Sequence, residues 1–258
     1  MAVRLFMLGI LFLVPFCRVH AQQLVVNEFS QGDAGAREYI ELLVVGTRTC
    51  AGDSCLDIRG WIIDDNNGWC GAGAGQGIAT GHMRFPNDPN WSCVPYGSII
   101  LLYNSGDINL SVTLPPDPTD ANNDNVYVVP SASLLLENTS ATPVSPSSAA
   151  YVYPAVAYAA GGSWNTIGLA NGGDAVVVTA PSNFGAAHYA IAYGSVSSGT
   201  ATVYKSQSGA GKVYYLTDNQ YNVSASYAVG DAPLDETPGA PNSPANAAWI
   251  SGMLTNTT

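Results

Sequence analysis

The chain has 258 residues, of which 47% are apolar and only 10% charged, against the roughly 25% usual in soluble domains. Two of its eight cations, Arg4 and Arg18, fall in an N-terminal leader, so six lysines and arginines face 19 acids beyond it, a balance of −13. That balance argues against nucleic acid as a partner, which needs Lys/Arg patches to release counterions, and against docking on anionic lipid.

Residues 1–21 read as a secretory signal peptide. Arg4 supplies the positive start, residues 5–16 are almost wholly apolar, and Ala21 closes a small-residue cleavage site. The apolar stretch is too short to span a bilayer, and no later segment reaches the roughly 18 residues required, so no membrane insertion of the mature chain is expected. Phe16 and Pro15 stand where a lipoprotein signal wants small residues, so Cys17 is not taken as a lipid anchor. The expected location is secreted or at the cell surface.

Beyond the leader the strands come in order. Residues 24–29 (LVVNEF) and 39–45 (YIELLVV) are the first two, with Gly and Asp between them suiting a hairpin connection. Four cysteines follow: Cys50, Cys55, Cys70 and Cys93. An even count in an oxidising compartment suggests two disulfides, with three pairings possible. The turn-like Ala-Gly-Asp-Ser between Cys50 and Cys55 makes a local bridge easy, which leaves Cys70 to Cys93 across a glycine-rich loop. No C-x-x-C spacing or histidine partner supports zinc. Residues 56–64 (LDIRGWIID) alternate and run into the Asp65-Asn66-Asn67-Gly68 turn, and residues 98–103 (SIILLY) form a short apolar run that fits a buried strand.

Residues 107–125 are turn chemistry, with three prolines and an Asp/Asn cluster, before a strand at 126–129 and another at 134–137. Residues 138–150 look like a loop or linker, and 151–158 alternate again. Strands follow at 174–179 (DAVVVT), 187–193 (AHYAIAY) and 213–217 (VYYLT). Residues 237–244 (TPGAPNSP) cannot be a strand or helix interior, and 245–254 allow a helical turn or two within a C-terminal tail at 243–258. Nine or ten short strands with turn signals between them make an all-β chain, a β-sandwich.

Several segments in this order resemble the lamin-tail domain (LTD) in its bacterial secreted form: Asn27-Glu28 in the first strand, Ile40-Glu41-Leu42 in the second, Gly60-Trp61, Gly173-Asp174-Ala175, and Pro238-Gly239 with Asn242. The resemblance covers residues 24–106 and 168–242 of a domain at 24–242, with 107–167 left as a long loop-rich insertion. It implies an immunoglobulin-like β-sandwich, no catalytic residues, and a module of secreted or surface proteins that sometimes sits beside hydrolases. Glu28, Glu41 and Asp174 are read as hydrogen-bonding strand ends or turns.

The chemistry-bearing motifs are few. Only His82 and His188 follow the leader, and neither H-E-x-x-H nor G-x-S-x-G occurs. Gly52-Asp53-Ser54 resembles the start of an esterase motif whose base is missing. The best signal is acidic: Asp117, Asp120, Asn122 and Asp124 could aim several oxygens at Ca²⁺. Asn125 replaces the glycine of a calcium loop and Pro130 its glutamate, so the site would need distant ligands. A second acidic spot is Asp64-Asp65-Asn66. Trp61 is expected in the core, whereas Trp69, Trp91 and Trp164 fall in loops and could form a sugar-stacking face. The expectation is a non-enzymatic binding or adhesion module for an extracellular protein or glycan. The alternatives are a calcium-stabilised spacer of a surface assembly and an accessory domain of a secreted hydrolase.

Overall fold

The computed structural model describes residues 22–33, 35–47, 54–65, 82–138, 159–160, 166–181, 188–196 and 201–255. Its strands are β1 (Gln23–Ser30), β2 (Tyr39–Val45), β3 (Cys55–Leu56), β4 (Ile62–Asp64), β5 (Met83–Arg84), β6 (Val94–Pro95), β7 (Ile99–Tyr103) and β8 (Val126–Pro130). After these come β9 (Glu137–Asn138), β10 (Ala159–Ala160), β11 (Gly173–Thr179), β12 (Tyr189–Gly194), β13 (Val203–Lys205), β14 (Lys212–Leu216) and β15 (Tyr227–Asp231), and one helix, α1 (Pro244–Thr255), closes the chain. The signal-peptide reading of 1–21, all of the 138–150 linker but Asn138, and the strand expected at 151–158 lie outside the described residues; Asn138 belongs to β9.

Among the described residues the strands form two large sheets and a small ladder. The first sheet runs β15-β14-β1-β2-β7-β8 and the second β10-β9-β5-β4-β11-β12-β13, with β3 and β6 paired separately. The described residues are mostly β-sheet, as the alternation implied, with α1 as their one α-helix. Neighbours are antiparallel except at β7–β8 and β12–β13. Phe29 of β1 joins the sheets: its ring stacks on Tyr214 of β14 at 4.7 Å and tilts against Tyr193 of β12 at 5.5 Å. Around it Leu24, Val26, Ile40, Leu42, Val176, Val178 and Ile191 make one buried core. Burying each such side chain contributes about 1.5–3 kcal/mol.

Both faces of the central strands are covered. Tyr39, Leu101, Tyr103 and Val128 form a second buried cluster on the first sheet, and Ala175, Val177, Ala190 and Ala192 one on the second. This explains why YIELLVV and DAVVVT read as near-continuous apolar runs rather than alternating ones. The segment read as an insertion is partly integral. Residues 126–130 add β8 beside β7, and Asp117 bridges to Val128. The tail is integral too. Ser243 caps α1, its Oγ accepting from Asn246 N at 3.0 Å, with Pro244 at the first helical position where it lacks no needed donor. Ile250 and Met253 are buried. Gly97 lies so close beneath α1, at φ +90, that a Cβ there would stand 2.8 Å from Leu254 and 2.9 Å from the Ile250 carbonyl.

The stretch 56–64, expected as one strand, is broken. Gly60 at φ +78 turns the chain, its N–H donating to Phe85 O, and only Ile62–Asp64 continues as β4. The disulfide expectation is also corrected. Cys55 is bonded to Cys93, with Cα atoms 5.0 Å apart, and therefore not to Cys50, nor Cys93 to Cys70. The β3–β6 ladder sets Cys55 opposite Pro95 and Leu56 opposite Val94, which carries Cys93 to Cys55; long-range pairing, not sequence proximity, chose the partner. Cys50 and Cys70 lie outside the described residues.

Candidate functional site

Three of the fragments that carried the resemblance, Asn27-Glu28, Glu41 and the 238–242 segment, meet on the outer face of the first sheet, while Gly60-Trp61 and Gly173-Asp174-Ala175 lie with the second. In β1 the register slips between Val26, opposite Leu42, and Glu28, opposite Glu41, so Asn27 is an extra residue. A bulge of this kind disrupts the alternation of side chains, and here Asn27 and Glu28 both reach the side on which Glu41 lies. Residues 236–246 then cross over them as a strap. Thr237 N donates to Glu28 Oε1 at 2.9 Å and Gly239 N to Glu41 Oε2 at 2.6 Å. Asn27 Nδ2 donates to Glu41 Oε1 at 2.7 Å, and the Tyr39 hydroxyl to Glu28. Asn242 Nδ2 donates to Asn27 O at 2.9 Å and Leu216 O at 3.2 Å, and Asn246 Nδ2 to Asn27 Oδ1 at 3.1 Å. Gly239 sits at φ +81 against Leu114, a backbone conformation that favours glycine.

Glu28, Glu41 and Asn27 have no exposed surface, and two carboxylates directly opposite on adjacent strands repel. Hydrogen counting shows where a proton resides. Thr237 Oγ1 is 2.7 Å from Glu28 Oε2 and 2.7 Å from Asn242 Oδ1. Both Asn242 amide hydrogens go to carbonyls, which fixes Oδ1 toward the threonine. Three oxygens in a row need two hydrogens, and the hydroxyl has one. The other is on Glu28. The surroundings agree with this: burial is the main cause that lifts the Glu28 carboxyl to about 7, against the hydrogen bonds it accepts from Tyr39 and Thr237, and the Glu236 charge adds to the rise. Burial and then the Glu28 charge push Glu41 up as well. The bonds found on Glu41 all come from donors, whereas Glu28 Oε2 faces a hydroxyl, so we assign the proton to Glu28.

A second acidic group lies at one end of the second sheet. Asp65 accepts from Gly168 N at 2.9 Å, Asp174 from Ala170 N at 2.8 Å and Ala175 N at 2.9 Å, and Glu38 from Asn104 Nδ2 at 3.1 Å. Burial first, then the Asp174 charge, raises Asp65 to about 7. These acids pin residues 167–175 to the sandwich. Asp64 is buried in β4, and Asn66 lies outside the described residues.

In the loop read as a calcium site the acids turn onto the chain itself. Asp117 accepts from Ala121 N at 2.8 Å and Asn122 N at 3.0 Å, which holds its carboxyl below the usual range. Asp120 accepts from Asp124 N at 2.9 Å and Asn125 N at 3.1 Å, and Asp124 from Val126 N at 2.9 Å. Asn122 contributes its backbone N–H. Asp120, Asn123 and Asn125 take positive φ, the conformation short polar side chains tolerate. Among the described residues no three His, Cys, Asp or Glu side chains gather as a metal site.

The sugar-stacking expectation for Trp91 is corrected. A 3₁₀ turn at Pro89–Trp91, capped by Asp88, rotates the indole inward. It is fully buried, donates to Leu135 O at 2.9 Å and meets Phe85 edge-on at 4.8 Å, so it offers no face to a ligand. Trp69 and Trp164 lie outside the described residues. Trp61 is in the core, as expected.

Sequence reasoning missed an open groove of about 440 Å³ in front of Phe85. Arg59 and Asp57 of the β3–β4 turn form one wall, with Arg59 Nη1 3.3 Å from Asn87 Oδ1, and the Arg84–Glu137 ion pair of β5 and β9 the other. Two of the six cations beyond the leader stand here, a spacing no local motif records. Comparison with protein-family models, curated proteins and solved structures finds no match for the chain. Among the described residues no helix is long and apolar enough to cross a membrane.

Proposed function

We propose that the chain is a non-enzymatic extracellular or cell-surface binding module of lamin-tail type, whose partner is an extracellular protein or glycan. The observation that carries this reading is the use to which its acids are put. Glu28, Glu41, Asp65 and Asp174 hold backbone segments in place, and Asp117 and Asp120 hold a turn. His82 is buried, and the His188 ring packs on Trp61 at 4.9 Å with burial lowering its pKa, an arrangement suited to packing rather than base catalysis. The Cys55–Cys93 bond supports an oxidising compartment.

The groove beside Phe85 is the surface this reading assigns to the partner. Its charges pair off, Arg59 with Asp57 and Arg84 with Glu137, and present donors and acceptors side by side with no net charge. Such a surface suits hydroxyls or peptide groups better than a polyanion. The test is a glycan array and a panel of surface proteins probed with the full chain, repeated with Arg59→Ala and Asn87→Ala. A binder lost with both substitutions, at unchanged melting temperature, supports the reading. A flat array and panel, or binding indifferent to both substitutions, contradicts it.

A further inference from the structure

We propose that residues 236–246 form a proton-held strap: a proton on Glu28, between its Oε2 and Thr237 Oγ1, keeps the segment closed over the outer face of β1 and β2, and losing it loosens the strap before the sandwich itself opens. The geometry carries this. Two fully buried carboxylates face each other across adjacent strands, and strap groups (Thr237 N, Thr237 Oγ1 and Gly239 N) bind them. Among the described residues the titratable groups that interact with the pair are Tyr39 of β2, Tyr215 of β14 and Glu236 of the strap; none of them is a cation. Ionising Glu28 therefore meets no counter-charge among the described residues. It also removes the hydrogen between Glu28 Oε2 and Thr237 Oγ1. The threonine can then satisfy Glu28 or Asn242, but not both.

Glu236 makes the strap a joint between parts of the fold. Its carboxylate accepts from Asn109 Nδ2 at 3.1 Å and from the hydroxyls of Ser30 and Ser111. Loosening the strap therefore frees the 109–114 loop along with it, while β11 and β12 share none of these bonds.

Hydrogen exchange of the full chain between pH 5 and 8, corrected for intrinsic rates, tests the proposal. A carboxyl near 7 in the closed form and 4.5 in the open form raises the opening of Thr237, Gly239 and Asn242 amides roughly 50–100-fold over this range relative to amides of β11 and β12. Glu28→Gln should abolish that difference. Its Oε1 can still accept from Tyr39 and Thr237 N while Nε2 donates to Thr237 Oγ1, which keeps the strap shut. Strap amides that follow β11 and β12 at every pH in the wild-type chain overturn the proposal whether or not the variant folds. So does a Glu28→Gln chain that folds and keeps the wild-type pH profile.

Discussion

At the residue scale, Asn27 is the pivot. Its amide N–H satisfies Glu41, its amide oxygen accepts from Asn246, and its carbonyl accepts from Asn242. Asn27→Ala leaves a buried carboxylate oxygen and a buried amide without partners, and should cost about 2–3 kcal/mol in urea unfolding. A loss under 0.5 kcal/mol would show that the network contributes little. The residues of this network were legible as fragments: Asn27-Glu28, Glu41 and Pro238-Gly239 stand out in the sequence. Their convergence was not, because Gly239 lies 198 residues from Glu41 and Asn246 lies 219 from Asn27. A bulge, which no alternation pattern announces, turns the first pair toward the second. Trp91 was misread for a related reason. Its flanking prolines and asparagines look like loop, and only the 3₁₀ turn shows that the ring points inward.

At the scale of elements, strands buried on both faces were readable and short ladders were not. β2 matches its expected bounds because every residue in it is apolar or buried. The two-residue strands β3, β5, β6 and β9 depend on their partners, and their own sequences carry too few residues for a period. The β3–β6 ladder consequently also hid the disulfide. Closing a 38-residue separation, this bond restricts the unfolded chain, so Cys55→Ser should lower stability by about 2–4 kcal/mol. Peptide mapping without reductant should recover Cys55 joined to Cys93; a Cys50–Cys55 peptide would contradict the ladder.

At the scale of the whole molecule, the net charge of −13 beyond the leader is carried by a chain that uses many of its acids as backbone acceptors. Calcium titration should therefore leave the melting temperature within about 1 °C, since Asp117 and Asp120 already accept two backbone N–H bonds each. A rise of about 5 °C or more at millimolar calcium would favour the spacer reading, because a ligand of the native state alone stabilises it. The raised acids also set a direction with pH. A carboxyl lifted in the folded state contributes stability that is complete below its unfolded value and lost as pH rises through the folded one. For Glu28 and Asp65 that window runs from the ordinary carboxyl range up to about 7.

The central claim is that the motif acids of this sandwich are structural and that a proton on Glu28 holds the C-terminal strap. The most direct measurement is a pH titration of the Glu28 and Glu41 side-chain carboxyl carbons by NMR. The account predicts that Glu28 keeps its proton to about pH 7. Two independent titrations near pH 4.5, as for exposed glutamates, would contradict it.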